Sequence, residues 1–110
     1  MPFQRPVRRP FRTVVIPGGD NVHVRGLTIA ELKRIDARVA DPTDPVAEQP
    51  EQIRSTLLMA GAALAEPDGT PTFPFLDGTE LDAVAETFTP DQLAAVCEAA
   101  VGRDKDAAKN

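Results

Sequence analysis

The chain is 110 residues long with a formal net charge of −5, and it contains five Phe, one Cys and neither Trp nor Tyr. That length holds one domain with a modest core, and the scarcity of aromatics makes the core aliphatic and alanine-rich, which suits helices better than a β-sandwich. Cys97 stands alone, which excludes an intrachain disulfide and a cysteine-built metal cage. The charge is uneven: residues 1–25 contain five Arg against one Asp, whereas residues 41–100 contain a single basic residue, Arg54, against twelve acids. A folded part this acidic repels nucleic acid and anionic membranes, so neither is an expected partner.

Residues 1–12 carry Pro2, Pro6 and Pro10 among Arg5, Arg8, Arg9 and Arg12. Proline at that density interrupts helix and ladder bonding, so the segment reads as an extended Arg/Pro arm. The Arg8-Arg9 pair invites a secretion-signal reading. Only Val14, Val15 and Ile16 follow before Pro17-Gly18-Gly19, far short of the apolar stretch a signal needs. The β-type runs Thr13–Ile16 and Val22–Arg25 flank a dense group of turn formers, which predicts a hairpin over 13–25. Alternation places Val22 and Val24 on one face, His23 and Arg25 on the other. His23 is the only histidine. No nucleophile or second ligand stands near it in sequence, so it reads as a solvated side chain.

Thr28 and Glu31 form a capping box, with Leu27 and Leu32 as its hydrophobic staple, at the start of a helix over about 28–40. Ile29, Leu32, Ile35 and Val39 supply the apolar stripe, while Lys33, Arg34, Asp36 and Arg38 face water. Residues 41–50, with three Pro and three acids, read as a loop. Pro50 then opens the central helix, over about 50–65. From Leu57 to Ala65 all nine residues are apolar or glycine, the mark of a buried helix and too short a run to cross a bilayer. Ile53, Leu57, Leu58 and Leu64 are expected in the core.

Glu66-Pro-Asp-Gly-Thr-Pro71 is a turn, tightest at Asp68-Gly69. Its acids lack the alternating ligands of an EF-hand. Thr72 to Phe75 is held extended by its prolines, so Phe73 and Phe75 point the same way, as a lid on the core or as a partner-facing pair. Asp77 with Glu80, and Thr89 with Gln92, announce helices over about 77–87 and 89–101, stapled by Leu76 with Leu81 and by Phe88 with Leu93. Leu81, Val84, Ala85 and Phe88 form one stripe. Leu93, Val96, Cys97, Ala100 and Val101 form the other, which makes Cys97 a buried, inert thiol. Gly102 stops the last helix, and residues 103–110 read as a charged tail. This helix pair is no DNA reader, because its second helix lacks Lys and Arg and carries Asp91 and Glu98. No nucleophile–base pair, metal-ligand cluster or phosphate loop is recognisable, and Gly18-Gly19 lacks the lysine of a P-loop. No enzyme activity, cofactor or metal is expected. The expected fold is mostly α: one domain over 13–102, about four helices with an N-terminal β-hairpin.

That order of elements carries Val24-Arg-Gly-Leu-Thr-Ile-Ala-Glu31, then Arg54 and Leu57-Leu58 opening an apolar helix, then Glu66-Pro-Asp-Gly-Thr-Pro-Thr-Phe73. It resembles the tail assembly chaperones of long-tailed bacteriophages and related prophages, over about residues 13–102. A recurrent segment of that family runs arginine, two leucines, then acid-x-acid-Gly-x-Pro-x-Phe. Here Glu66 stands where Asp is frequent, and Thr72 where an aliphatic residue is usual. The resemblance implies a non-enzymatic protein of the host bacterial cytoplasm that binds the tape-measure protein and helps recruit tail-tube subunits. It also implies a ribosomal frameshift near the end of the short product, for which Ala108-Lys109-Asn110 is codable by a slippery run. The expected partner surface is the Phe73/Phe75 pair with Glu66, Asp68 and Asp77 as an acidic rim for an amphipathic helix. The alternative is a structural adaptor retained in a phage particle or other assembly, docked through the Arg/Pro arm. A regulatory or toxin-neutralising module has only acidity in its favour, and self-association stays open.

Overall fold

The computed structural model describes residues 11–102. Most of the Arg/Pro arm and the whole of the charged tail, with its frameshift expectation, lie outside the described residues. Over these described residues the fold is mostly α, with four helices and one small antiparallel sheet. In chain order the elements are β1 (Phe11–Val15), β2 (Asn21–Arg25), α1 (Ile29–Ala40), two 3-10 turns (Pro45–Glu48 and Glu51–Ile53), α2 (Arg54–Ala63), β3 (Leu64–Ala65), α3 (Gly78–Thr87) and α4 (Pro90–Ala100).

The hairpin begins at Phe11 rather than Thr13, because the ladder pairs Phe11 with Arg25 and Arg12 with Val24. Its loop closes with the Ile16 N–H donating to Asp20 O at 2.9 Å, and Gly18 and Gly19 at φ 104° and 91° take the left-handed turn that other residues resist. The hairpin is also not a hairpin alone. β2 is the central strand of three, paired on its other side with β3 through His23↔Ala65 and Val24↔Leu64.

β3 corrects the expected helix over 50–65. The α-helical part is Arg54–Ala63, entered through a 3-10 turn that Pro50 caps and left where Leu64 turns extended at φ −63°, ψ 135°. The unbroken apolar run hides that change, because a strand buried on both faces and a buried helix have the same composition. α2 remains the hub: α1, α3 and α4 all pack against it. Leu57 and Leu58 are fully buried, as are Leu81, Val84 and Val96 on the surrounding helices. Each such side chain contributes roughly 1.5–3 kcal/mol on leaving water. Leu64 and Leu93 are buried too, whereas Ile53 only lies half-buried against the core. Ala60, Gly61 and Ala63 give the close approach, and a Cβ at Gly61 would collide with the Leu76 side chain.

Two of the three expected capping boxes form in full. Glu31 N–H donates to Thr28 Oγ1 at 3.1 Å while Thr28 N–H donates to Glu31 Oε1 at 2.9 Å. Thr89 and Gln92 repeat the exchange at 3.2 and 2.9 Å. At α3 only half is made: Asp77 Oδ1 accepts from Glu80 N–H at 2.9 Å, but the Glu80 carboxylate accepts from Phe75 N–H at 3.1 Å instead of from the cap. The preceding residue, Leu76, sits at φ 49°, a left-handed conformation that costs a branched side chain roughly 1–2 kcal/mol. α4 ends at Ala100, with Gly102 beyond it at φ 75°.

Other expectations fail for identifiable reasons. Residues 41–50 are not a bare loop. Asp44 caps a 3-10 turn by accepting from Val46 N–H at 3.0 Å, and Val46 is fully buried. On α1, Ile35 is buried, but Ile29 is 74% exposed. At 3.6 residues per turn Ile29 lies about 120° around the helix from Ile35 and falls off the stripe. Arg38 does not face water: it donates to both Asp44 carboxylate oxygens, at 2.7 and 3.1 Å, and to Leu76 O at 2.8 Å. Arg25 likewise turns inward, giving two hydrogen bonds to Ala62 O at 3.2 and 2.9 Å, so it finishes the C-terminus of α2.

Candidate protein-docking surface

The turn after β3 is a tight hairpin in its own right. Glu66 N–H donates to Thr70 O and Gly69 N–H donates to Glu66 O, both at 2.8 Å, with Gly69 at φ 92°. Asp68 Oδ1 accepts from Thr70 N–H at 2.9 Å, and that bond holds its carboxyl below the usual value. On the return side Thr72 N–H donates to Leu64 O at 3.1 Å and Thr72 Oγ1 donates to Glu66 Oε2 at 2.8 Å. A further bridge joins Ala65 to Pro71. Asp77 caps α3. Glu66, Asp68 and Asp77, expected as an acidic rim, are therefore each tied to nearby backbone or a neighbouring hydroxyl. They shape the turn and the helix start and do not converge on one recess.

The two phenylalanines part company. The chain from Thr72 to Phe75 bends instead of running extended, so the same-side geometry of a strand does not apply. Phe73 is half-buried and packs on the core, whereas Phe75 is 78% exposed. Pro71 to Asp77 forms a strap laid over α2. It is held by Leu76 against Gly61, by Arg38 on Leu76 O and by Glu80 on Phe75 N–H.

Phe73 lines two open grooves. One, of about 340 Å³, is lined by Val22, His23, Leu64, Phe73 and Phe88 with Glu66 at its side. The other, of about 320 Å³, lies between α1 and the strap and is lined by Ile35, Phe73 and Leu76 together with Arg25, Arg34, Arg38 and Glu31. The chain matches no protein-family model, no curated protein and no solved structure. What the surface can do must therefore be read from its own chemistry: both grooves offer apolar contact area with a few polar groups at the edge, as protein- and peptide-binding recesses do.

His23 sits on the central strand, with Nδ1 3.2 Å from Thr13 Oγ1. Cys97 is half-buried with its thiol 3.5 Å from Thr56 O, and burial pushes its pKa up to about 11. Among the described residues no group of three His, Cys, Asp or Glu side chains is placed to hold a metal ion, and no helix is long and apolar enough to cross a membrane. The arginine-lined groove is not legible from local sequence. Arg34 and Arg38, four apart on a helix, are a legible pair; that Arg25, at the end of the preceding strand, shares their groove depends on how β2 packs against α1.

Proposed function

We propose that this chain is a non-enzymatic tail assembly chaperone of a long-tailed phage or prophage. It works in the host bacterial cytoplasm, where it binds the tape-measure protein and helps recruit tail-tube subunits. The observation that carries the reading is the Glu66–Phe75 segment. Its acid-x-acid-Gly-x-Pro-x-Phe pattern closes as a tight hairpin whose Phe73 packs inward, and it leads directly to the exposed Phe75. An exposed phenylalanine on an anchored strap suits a protein that covers the apolar faces of a long helical chain before assembly. The order of sheet, α1, central α2, Gly hairpin and two final helices supports the same reading.

The test is to sequence the neighbouring genes and co-express this chain with any long helical protein they encode. The expected result is that the long protein stays soluble only when this chain is present and co-purifies with it. Phe75→Ala, which removes an exposed side chain and leaves the melting temperature unchanged, is expected to weaken the complex. Unassisted solubility of the long protein, or this chain recovered as a stoichiometric component of purified particles, would overturn the chaperone reading. The second result would favour the structural adaptor.

A further inference from the structure

The groove between α1 and the strap carries a charge opposite to that of most of the domain. Residues 41–100 hold twelve acids and one Arg, yet this groove is lined by Arg25, Arg34 and Arg38 against one carboxylate, Glu31. Two of these cations are already engaged. Arg38 is committed to Asp44 and Leu76 O, and Arg25 to Ala62 O with the Glu31 carboxylate 3.5 Å away. Glu31 is itself occupied as the return arm of the α1 capping box. Arg34 is different: it is exposed at the groove edge and makes no hydrogen bond or ion pair among the described residues. The apolar part of the same lining is made by buried Ile35 and Leu76 and half-buried Phe73.

We propose that this groove takes an amphipathic helix of a partner protein, seating its apolar side chains on Phe73 and Leu76 and presenting Glu or Asp side chains to Arg34. The proposal rests on the reading of this chain as a protein-binding factor, and it reverses the rim polarity expected from sequence. A polyanion such as nucleic acid is disfavoured, because the acidic remainder of the domain repels an extended negative chain. A local carboxylate reaches Arg34 within roughly one Debye length, ~8 Å at physiological salt, where the distant acids are largely screened. A small anion would leave the apolar lining wet, so the pairing of one free guanidinium with an apolar lining fits a helix face better.

The experiment uses the full chain and two designed helices of ~18 residues. Both share one leucine stripe, and one carries Glu and the other Lys beside it. Binding is followed by fluorescence anisotropy and located by amide chemical-shift changes. The Glu helix is expected to bind with shifts centred on Arg34, Ile35, Phe73 and Leu76. Arg34→Glu, whose side chain lies outside the core, is expected to keep the melting temperature and weaken that binding about three- to ten-fold. Leu76→Ala would loosen the strap and is therefore not used. Stronger binding of the Lys helix at the same amides, an unchanged affinity in Arg34→Glu, or no binding of either helix would each overturn the proposal. Capture of the tape-measure protein is scored separately. Its failure beside a bound Glu helix would refute the tail assembly reading and leave the groove standing; capture that Arg34→Glu does not weaken would refute the groove and leave that reading standing.

Discussion

Gly61→Ala tests how the strap is fastened. In an ordinary helix interior this exchange stabilises by about 1 kcal/mol, because alanine is the better helix former. Here a Cβ would collide with Leu76 Cδ2 and lie 3.6 Å from its Cγ and 3.7 Å from its Cδ1. A terminal methyl can often swing aside, but Leu76 is buried, its backbone is in the left-handed region, and its carbonyl is fixed by Arg38 at 2.8 Å. Overpacking at such a site costs typically about 1–3 kcal/mol. The clash therefore outweighs the propensity gain, for a net loss of about 0–2 kcal/mol. Leu76→Ala alone should cost about 2–4 kcal/mol from lost burial and the cavity left behind. In that background the obstacle is gone, and Gly61→Ala should now stabilise by up to about 1 kcal/mol. The assay is urea denaturation of the parent, the two single variants and the double variant, read as a double-mutant cycle. A Gly61→Ala change that stabilises equally in both backgrounds would refute the contact.

Three further outcomes are expected. Asp44→Asn should cost about 1–2 kcal/mol at pH 7 by loosening the Arg38 clamp. The hydrogen bond from Arg38 holds the Asp44 carboxyl below its ordinary value of 3.8, so this stabilisation is complete above that value and is lost as the pH falls through the lower, folded-state value. Parent and variant should accordingly converge in strong acid, and a gap that persists there would contradict the assignment. Gln92→Glu keeps the acceptor of the α4 capping box but sets a carboxylate against Pro17 O, to which the Gln92 amide now donates at 2.7 Å. A loss of about 1–2 kcal/mol at pH 7, shrinking once the new carboxyl is protonated and can donate, is expected in the same denaturation assay. Cys97, with its thiol raised from 9.0 to about 11, should react with a disulfide reagent at pH 8 about a hundred-fold more slowly in the folded protein than in urea, and equal rates would contradict its burial.

The parts of this fold legible in the sequence are those governed by short-range chemistry. Thr28 with Glu31 and Thr89 with Gln92 are read from spacing alone because a capping box is complete within four residues. Leu57 and Leu58 follow from an unbroken apolar run, and Leu81, Leu93 and Val96 from apolar periodicity. What escaped depends on partners far along the chain. Nothing local marks Leu64 and Ala65 as a strand, since β2 is what recruits them. Nothing local sends Arg25 to the end of α2, and Leu76 would not be assigned a positive φ without knowing that Arg38 and Gly61 hold it there. Val46, with Ala47 after Asp44-Pro45, is a local apolar signal in an otherwise polar stretch. The aromatic pair differs for a related reason: X-Pro spacing predicts an extended segment, whereas Thr72 to Phe75 bends.

The pairing of β2 with β3 also bears on how the protein comes off the ribosome. His23 and Val24 find their second neighbours only at Ala65 and Leu64, after α1 and α2 have been made. Until then the inner edge of the hairpin is an open row of backbone donors and acceptors, the kind of edge that recruits stray strands. The last helix contributes late as well, since Leu27 N–H donates to Ala100 O at 3.0 Å and clasps the α1 entrance from the far end of the chain. Closing contacts of such long sequence separation slows folding. A nascent chain stalled before α4 would carry both an unlatched α1 and an uncovered face of α2, and its survival would depend on rapid completion or on a holdase.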